Sequence, residues 1–318
     1  MNNLTLKQLR YFKALAEQGH FGRAAENCAI SQPALSMQIR ELEDGLGVPL
    51  FERSTRQVHL TAFGEAFAVR VAPILRAVDE LTDLARVSRE GQLERLRLGI
   101  IPTIGPYLLP AMMGDLATTY PALDLRVRET TTDRLVKELA DGALDAAILA
   151  LPISEPSLAE RALFEEDFLL VRPSDQSDAP VPSVETLPQM RLLLLEEGHC
   201  FRDQALAFCK PAARPRDVLD ASSLSTLVQM VSAGLGITLI PEMAVPVETR
   251  SADVCLARLG QPGPKRTIGL VWRETSPLSD RLVEFSDAVR ASALAMRARC
   301  GGNDGALPEG DGVVLPAV

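Results

Sequence analysis

The chain has 318 residues, 47% of them hydrophobic and only 4% aromatic, which is enough apolar material to fill the cores of two domains. Its formal net charge of −9 argues against a protein that is basic throughout, and no run of about 18 apolar residues points to a membrane span. Five cysteines (Cys28, Cys200, Cys209, Cys255, Cys300) without a Cys-x-x-Cys pair, and three histidines, argue against a disulfide framework, a zinc site or other metal chemistry.

Met1 to Lys13 lacks the basic start, apolar stretch and small-residue cleavage site of a secretory signal, so a cytoplasmic protein with no membrane contact is expected. Apolar residues at positions 6, 9, 12, 15 and 16 have helical spacing, with Thr5 as cap and Gly19 as terminator. Phe21 to Cys28 makes a short second helix. Ser31 caps a third, with Pro33 at an early position where no N–H is needed and Leu35, Ile39, Leu42 and Leu46 facing inward. The small Ala24-Ala25 pair allows close packing, and a helix-turn-helix results. Gln32, Ser36, Gln38 and Arg40 lie on the outward face, where such side chains read base edges and phosphates; Arg23, Ser31 and Pro33 complete the candidate DNA-binding set on these helices. On this pattern alone, a three-helix bundle with a solvated polar face fits equally well.

Val48 to Thr61 reads as two short strands around a basic hairpin, followed by a helix opening at Thr61, which turns the motif into a winged helix-turn-helix. Arg53 and Arg56 at the wing tip are placed for phosphate or minor-groove contact. Residues 1–65 carry seven Lys/Arg against seven Asp/Glu, so the rest of the chain holds the whole net charge and a nucleic-acid surface belongs before residue 65. From 65 to 89, the apolar positions Phe67, Val71, Ile74, Leu75, Val78, Leu81 and Leu84 give a long helix with a 3-4 seam suited to pairing between subunits, or a lone surface helix.

From Leu93 short β-rich runs alternate with helices: strands at 95–101, 123–129, 144–151, 163–171, 191–195, 236–240 and 267–272, and helices at 104–119, 133–141, 223–233 and 277–297. This is the βαβ rhythm of a parallel sheet. The expected domains are 1–61 (winged helix-turn-helix), 62–92 (linker helix and hinge), 93–300 (regulatory region) and a Gly-, Pro- and acid-rich tail, 301–318, predicted to be disordered. No phosphate-cradling glycine loop, paired-histidine metal site or nucleophile elbow occurs, and no cofactor is expected. Cys200 and Cys209 stand nine positions apart in a segment of helical residue types. Nine helical positions separate two residues by about 13.5 Å along the axis and put them on roughly opposite faces. A disulfide requires Cα atoms within about 7 Å, so this pair joins only if the segment unwinds, which suggests a thiol switch; two unrelated buried thiols are the plain alternative.

Ala24-Ala25, Ser31-Gln32-Pro33-Ala34-Leu35-Ser36, Ile39-Arg40, Leu42-Glu43, Leu46-Gly47, Leu50-Phe51-Glu52-Arg53 and Leu60-Thr61 with Gly64 resemble the N-terminal signature of LysR-type transcriptional regulators. That resemblance implies a dimeric winged helix-turn-helix on two half-sites of double-stranded DNA, a pairing linker helix, and two α/β lobes like those of periplasmic binding proteins, hinged near 165 and 265. The second half resembles the peroxide-sensing members of the family through Ile101 to Pro110, Gly198 to Ala205 with Phe208-Cys209, and Arg266 to Val271. By that resemblance Cys200 is the sensing thiol, in a pocket with Thr103, Thr132, His199, Arg202, Asp203 and Arg266. Its position at a predicted helix N-terminus, two residues before Arg202, favours the thiolate that attacks peroxide. His199 is either a hydrogen-bonding partner of the reacting oxygen or a helix cap, while Phe201, Ala205 and Phe208 anchor the segment in the reduced core. The implied sequence is a sulfenic acid at Cys200, a disulfide with Cys209, rotation of regulatory domains within a homotetramer (a dimer of dimers), and a new spacing of the winged heads, with RNA polymerase as partner and glutaredoxin or thioredoxin as reductant. A LysR-type regulator controlled by a small organic effector between the lobes is the alternative, and a thiol peroxidase a third reading; an enzyme is not expected.

Overall fold

A computed structural model describes residues 4–53, 58–90, 93–183, 186–187, 190–209, 219–260, 263–301 and 315–316. These fall into two compact units, residues 1–89 and 90–318.

In the first unit, α1 (Leu6–Gln18) starts at a capping box, in which the Thr5 hydroxyl accepts from the Gln8 backbone while the Gln8 side chain accepts from the Thr5 backbone; Gly19 closes it in the left-handed conformation. Helix α2 (Phe21–Asn27) is capped by His20, whose Nδ1 accepts from the Gly22 and Arg23 N–H groups, and α3 (Gln32–Leu46) is capped by Ser31. Leu9, Phe12 and Leu15, the Ala24-Ala25 pair, and Leu35, Ile39 and Leu42 make the core. Strands β1 (Phe51–Arg53) and β2 (Val58–Leu60) pair antiparallel as the wing, with His59 exposed on β2. Residues 54–57, with Arg56, and the side chain of Arg53 lie outside the described residues.

Helix α4 (Ala62–Glu90) follows, and the Thr61 hydroxyl accepts from Gly64 N–H at 2.9 Å while donating to the Pro49 carbonyl at the same distance. A Cβ at Gly64 would sit 2.1 Å from the Leu50 carbonyl oxygen, so only glycine lets this helix close against the wing. The expected seam on α4 divides. Val71 and Leu75 are absorbed into the core of the winged unit and Phe67 packs against it, whereas Ile74 and Leu81 remain exposed at 44% and 66%. The Leu84 side chain is outside the described residues.

The second unit runs β3 (Arg95–Ile100), α5 (Gly105–Thr119), β4 (Asp124–Glu129), α6 (Thr132–Ala140), β5 (Ala146–Leu151), β6 (Leu158–Pro173), β7 (Leu194–Leu195), α7 (Cys200–Cys209), β8 (Asp220–Ala221), α8 (Leu224–Ser232), β9 (Thr238–Pro241), α9 (Val245–Glu248), β10 (Val254–Arg258), β11 (Lys265–Arg273), α10 (Ser279–Gly301) and β12 (Leu315–Pro316). Its main sheet has the order β12-β10-β6-β11-β5-β3-β4, with β9 also on β6. The sheet is mixed rather than parallel throughout: β3 is parallel to β4 and β5, as β7 is to β8, but β11 lies antiparallel between β5 and β6. The cause is in β6. Its first half pairs with β11 and its second half with β10, so both strands run antiparallel to it, on opposite sides. Two lobes therefore share one long strand, with crossovers close to the expected positions 165 and 265. Of the tail, Leu315–Pro316 pairs with Cys255 and Leu256 of β10, and residues 302–314, 317 and 318 lie outside the described residues. Among the described residues no helix is long and apolar enough to cross a membrane, and no cluster of His, Cys, Asp or Glu is arranged to hold a metal ion.

Candidate thiol site and nucleic-acid face

Leu35, Ile39 and Leu42 turn one side of α3 into the core, which leaves Gln32, Pro33 and Arg40 exposed and Ser36 and Gln38 half-buried on its outer side. Ser31 is also exposed but its hydroxyl is spent on the Ala34 N–H. Two of the expected DNA-contacting side chains are held within the chain: Gln38 donates to Glu41 at 2.7 Å and Arg23 to the Gln18 carbonyl at 2.8 Å.

In the second unit three chain segments meet around a small pocket lined by Ile101, Pro102, Thr103, Thr131, Thr132, His199, Cys200 and Phe201. The first segment follows β3, the second is the N-terminus of α6, and the third is the N-terminus of α7. Gly198, at φ +93°, makes the turn into α7 in a conformation that side-chain-bearing residues rarely adopt. Cys200 is a free, half-buried thiol in this pocket. Among the described residues the buried Thr132 hydroxyl has no hydrogen-bond partner, which leaves it open to a small polar guest.

Behind the pocket lies a buried ion pair. Arg266 and Glu166 stand opposite each other on β11 and β6, with side chains 0% and 1% exposed and a closest N–O distance of 2.6 Å. Arg266 also donates to the Thr103 hydroxyl at 2.8 Å and to the Thr103 carbonyl at 3.0 Å, while Glu166 accepts from the Met243 N–H. Its guanidinium lies 5.7 Å from the Phe201 ring and 5.9 Å from the Phe168 ring, and those two rings meet edge-on at 4.9 Å. One arginine thus holds Thr103 in place and forms the seat of Phe201, the residue next to Cys200.

Thr103, Thr132, His199 and Cys200 are brought together as the sequence suggests. Arg266 stands behind Thr103 rather than in the pocket wall. Arg202 and Asp203 do not line it. The Arg202 guanidinium donates to the Leu195 carbonyl at 2.7 Å and to Asp220 at 2.6 Å, because the β7–β8 pair puts an acceptor and an opposite charge within its reach, and Asp203 is exposed. Phe201 and Ala205 are buried and Phe208 half-buried, consistent with an anchoring role; the Cys209 side chain lies outside the described residues. Thr131 and Glu166 were missed. Glu166 was nonetheless legible, since Phe164, Glu166 and Phe168 alternate with Glu165 and Asp167 at strand period and only the first set is buried.

Burial lowers the His199 imidazole below the usual histidine value, against a smaller opposing effect of Glu196. The folded state therefore prefers the neutral ring, and its contribution to stability is full above the unfolded value and lost as pH falls through the folded one. A His199→Asn variant is expected to lose part of the decline in melting temperature seen between pH 7 and pH 5; identical profiles would contradict this.

A winged helix-turn-helix is thus joined in one chain to a two-lobed α/β unit that carries a small pocket with a thiol in its wall. Residues 6–65 match the bacterial regulatory helix-turn-helix proteins of the lysR family and residues 89–294 the LysR substrate binding domain, and the chain belongs to the LysR family. It is similar to the DNA-binding transcriptional dual regulator OxyR of Escherichia coli K12, at 42% identity over 294 residues that cover 91% of this chain and 95% of that one. A probable hydrogen peroxide-inducible genes activator of Streptomyces viridosporus is 42% identical over 298 residues, covering 92% and 95%. Among solved structures, a full-length OxyR variant from Pseudomonas aeruginosa matches with a TM-score of 0.74 at 37% identity, covering 91% of this chain and 95% of that one. A Corynebacterium glutamicum OxyR mutant bound to hydrogen peroxide matches with a TM-score of 0.66 at 36% identity, covering 96% and 97%.

Proposed function

We propose that this LysR-family protein is a transcriptional activator that responds to hydrogen peroxide through Cys200. The observation that carries the reading is the placement of that thiol at the N-terminus of α7, in a pocket with the Thr103 and Thr132 hydroxyls and His199. The names and bound peroxide of the similar proteins support the same reading. The Cys200 thiolate attacks one peroxide oxygen, the O–O bond breaks, and the leaving hydroxide takes a proton to become water, giving a sulfenic acid. Cys209 then attacks the sulfenic sulfur, expelling a second water as the disulfide forms. Thr103 and Thr132 hold the peroxide, His199 hydrogen-bonds the reacting oxygen, and Phe201 and Ala205 keep α7 folded until the bond forms.

Because α7 carries the two cysteines at its opposite ends, the disulfide costs the helix and its packing. The reshaped segment changes how regulatory units associate in a tetramer, shifts the winged heads on double-stranded DNA, and alters contact with RNA polymerase. A glutaredoxin- or thioredoxin-type dithiol resets it by exchange. Control by an organic effector between the lobes would instead leave both thiols untouched by the inducing signal. Peptide mapping of the intact reduced protein treated with one equivalent of peroxide is expected to find Cys200 joined to Cys209. Recovery of both as free thiols would refute the proposal.

A further inference from the structure

We propose that Met37 reads the 5-methyl group of a thymine in the major groove, which gives the recognition helix an apolar specificity contact beside its polar ones. The inference rests on the DNA-binding reading of the winged unit and extends it to a residue outside the polar set that the sequence nominates.

Met37 is 55% exposed, in a helix whose Leu35, Ile39 and Leu42 are buried and whose Leu46 packs half-buried against the same core. A solitary exposed apolar side chain ordinarily requires no explanation. This one sits on the helix face that carries the expected DNA contacts. Pro33 and Met37 form one i, i+4 row, adjacent to the row of Gln32, Ser36 and Arg40, so that Met37 shares its surface with exposed Gln32, Pro33 and Arg40. Its polar neighbour Gln38 is engaged by Glu41.

In the major groove each base pair offers donors and acceptors, and thymine alone among the four common bases adds a methyl group. A guanidinium or carboxamide gains little from that methyl; an unbranched, polarizable thioether with three rotatable bonds can cover it while Gln32 and Arg40 take polar groups on either side. Apart from Pro33 and Ala34, the side chains around Met37 are hydrogen-bonding or charged: Gln32 and Arg40 are exposed and the acidic Glu41 is held by Gln38, which suits a nucleic-acid edge better than a flat protein partner.

The test uses the full-length reduced protein. Preferred half-sites are selected from randomised duplexes, and each thymine in them is then replaced singly by deoxyuridine, which removes only the methyl group. Burying one methyl corresponds to about a fourfold change in affinity. The expected result is one thymine per half-site whose replacement weakens wild-type binding about fourfold, weakens Met37→Leu similarly, and leaves Met37→Ala binding unchanged. If every deoxyuridine duplex binds like its parent, or if Met37→Ala loses as much as wild type at the same thymine, the inference is overturned. A Met37→Ala protein whose assembly mass changes while base preference stays would assign the residue to a protein contact and overturn it equally. Absence of any sequence preference in the selection would overturn the DNA-reading role of α3 itself, an outcome separable from the others.

Discussion

Replacing Cys200 by serine is expected to remove the peroxide response entirely, with target transcription fixed at the uninduced level and DNA binding by the reduced protein retained. A hydroxyl does not ionise near neutral pH and is not oxidised by peroxide, so the first chemical step has no substrate. The structural cost is small. Cys200 is half-buried, and serine is well tolerated at a helix N-terminus, so stability should change by about 1 kcal/mol or less. Cys209→Ser separates the two steps: the sulfenic acid still forms at Cys200 and can be trapped by a nucleophilic probe, but no intramolecular disulfide follows. A Cys200→Ser protein that still switches in cells would assign sensing to another group.

Replacing Arg266 by alanine is expected to have the largest effect on stability. The change strands the Glu166 carboxylate, 1% exposed, opposite a cavity with, among the described residues, the Met243 N–H alone to hold it. Removing one member of such a buried pair costs about 3–5 kcal/mol, far more than the pair contributes over an apolar replacement of both partners. An Arg266→Met, Glu166→Met double variant should therefore recover most of that loss. It should not recover rapid oxidation of Cys200, because Thr103 loses both guanidinium hydrogen bonds and Phe201 its cationic seat. Thermal unfolding of the regulatory unit and a time course of thiol alkylation after peroxide measure the two effects separately. If the double variant is no more stable than Arg266→Ala, the electrostatic account fails.

The coupling of α7 to this pair is also what sets the balance of the proposed switch. Unseating Phe201, which is 2% exposed, forfeits about 1.5–3 kcal/mol of burial. The disulfide must outweigh that loss and the helix hydrogen bonds, so weakening the seat of Phe201 should favour oxidation thermodynamically even where it slows the chemistry.

Local signals made the winged unit legible. Thr5, Gly19 and Ser31 stand at the caps they suggest, and the apolar spacing of α3 matches its buried residues. The long helix was legible in extent but not in what its apolar residues contact, because one stripe serves both the core of its own unit and an exposed side, and periodicity does not separate them. In the second unit the strands with strong apolar runs were evident. Strand β10 and the two-residue β8 were not: β8 is too short to carry a pattern, and Val254–Arg258 has buried Val254, Cys255 and Ala257 around a partly buried Leu256 before an exposed arginine, which is neither an alternation nor a long apolar run. The antiparallel return of β11 depends on pairing along β6, a long-range choice without a local signature. In the thiol site, Cys200 was marked by its spacing from Cys209, and Thr103, Thr132 and His199 came from the family resemblance. Arg202 was misplaced because closeness in sequence on a helix does not reveal a carbonyl and a carboxylate waiting on neighbouring strands.

The claim on which the switch depends is that α7 cannot stay helical once its two sulfurs are bonded. Amide hydrogen exchange across residues 200–209, measured on the reduced protein and again after one equivalent of peroxide, tests it directly. Protection in the reduced state that collapses in step with disulfide formation is the predicted result. A fully formed Cys200–Cys209 disulfide with the helical protection of 200–209 unchanged would contradict it.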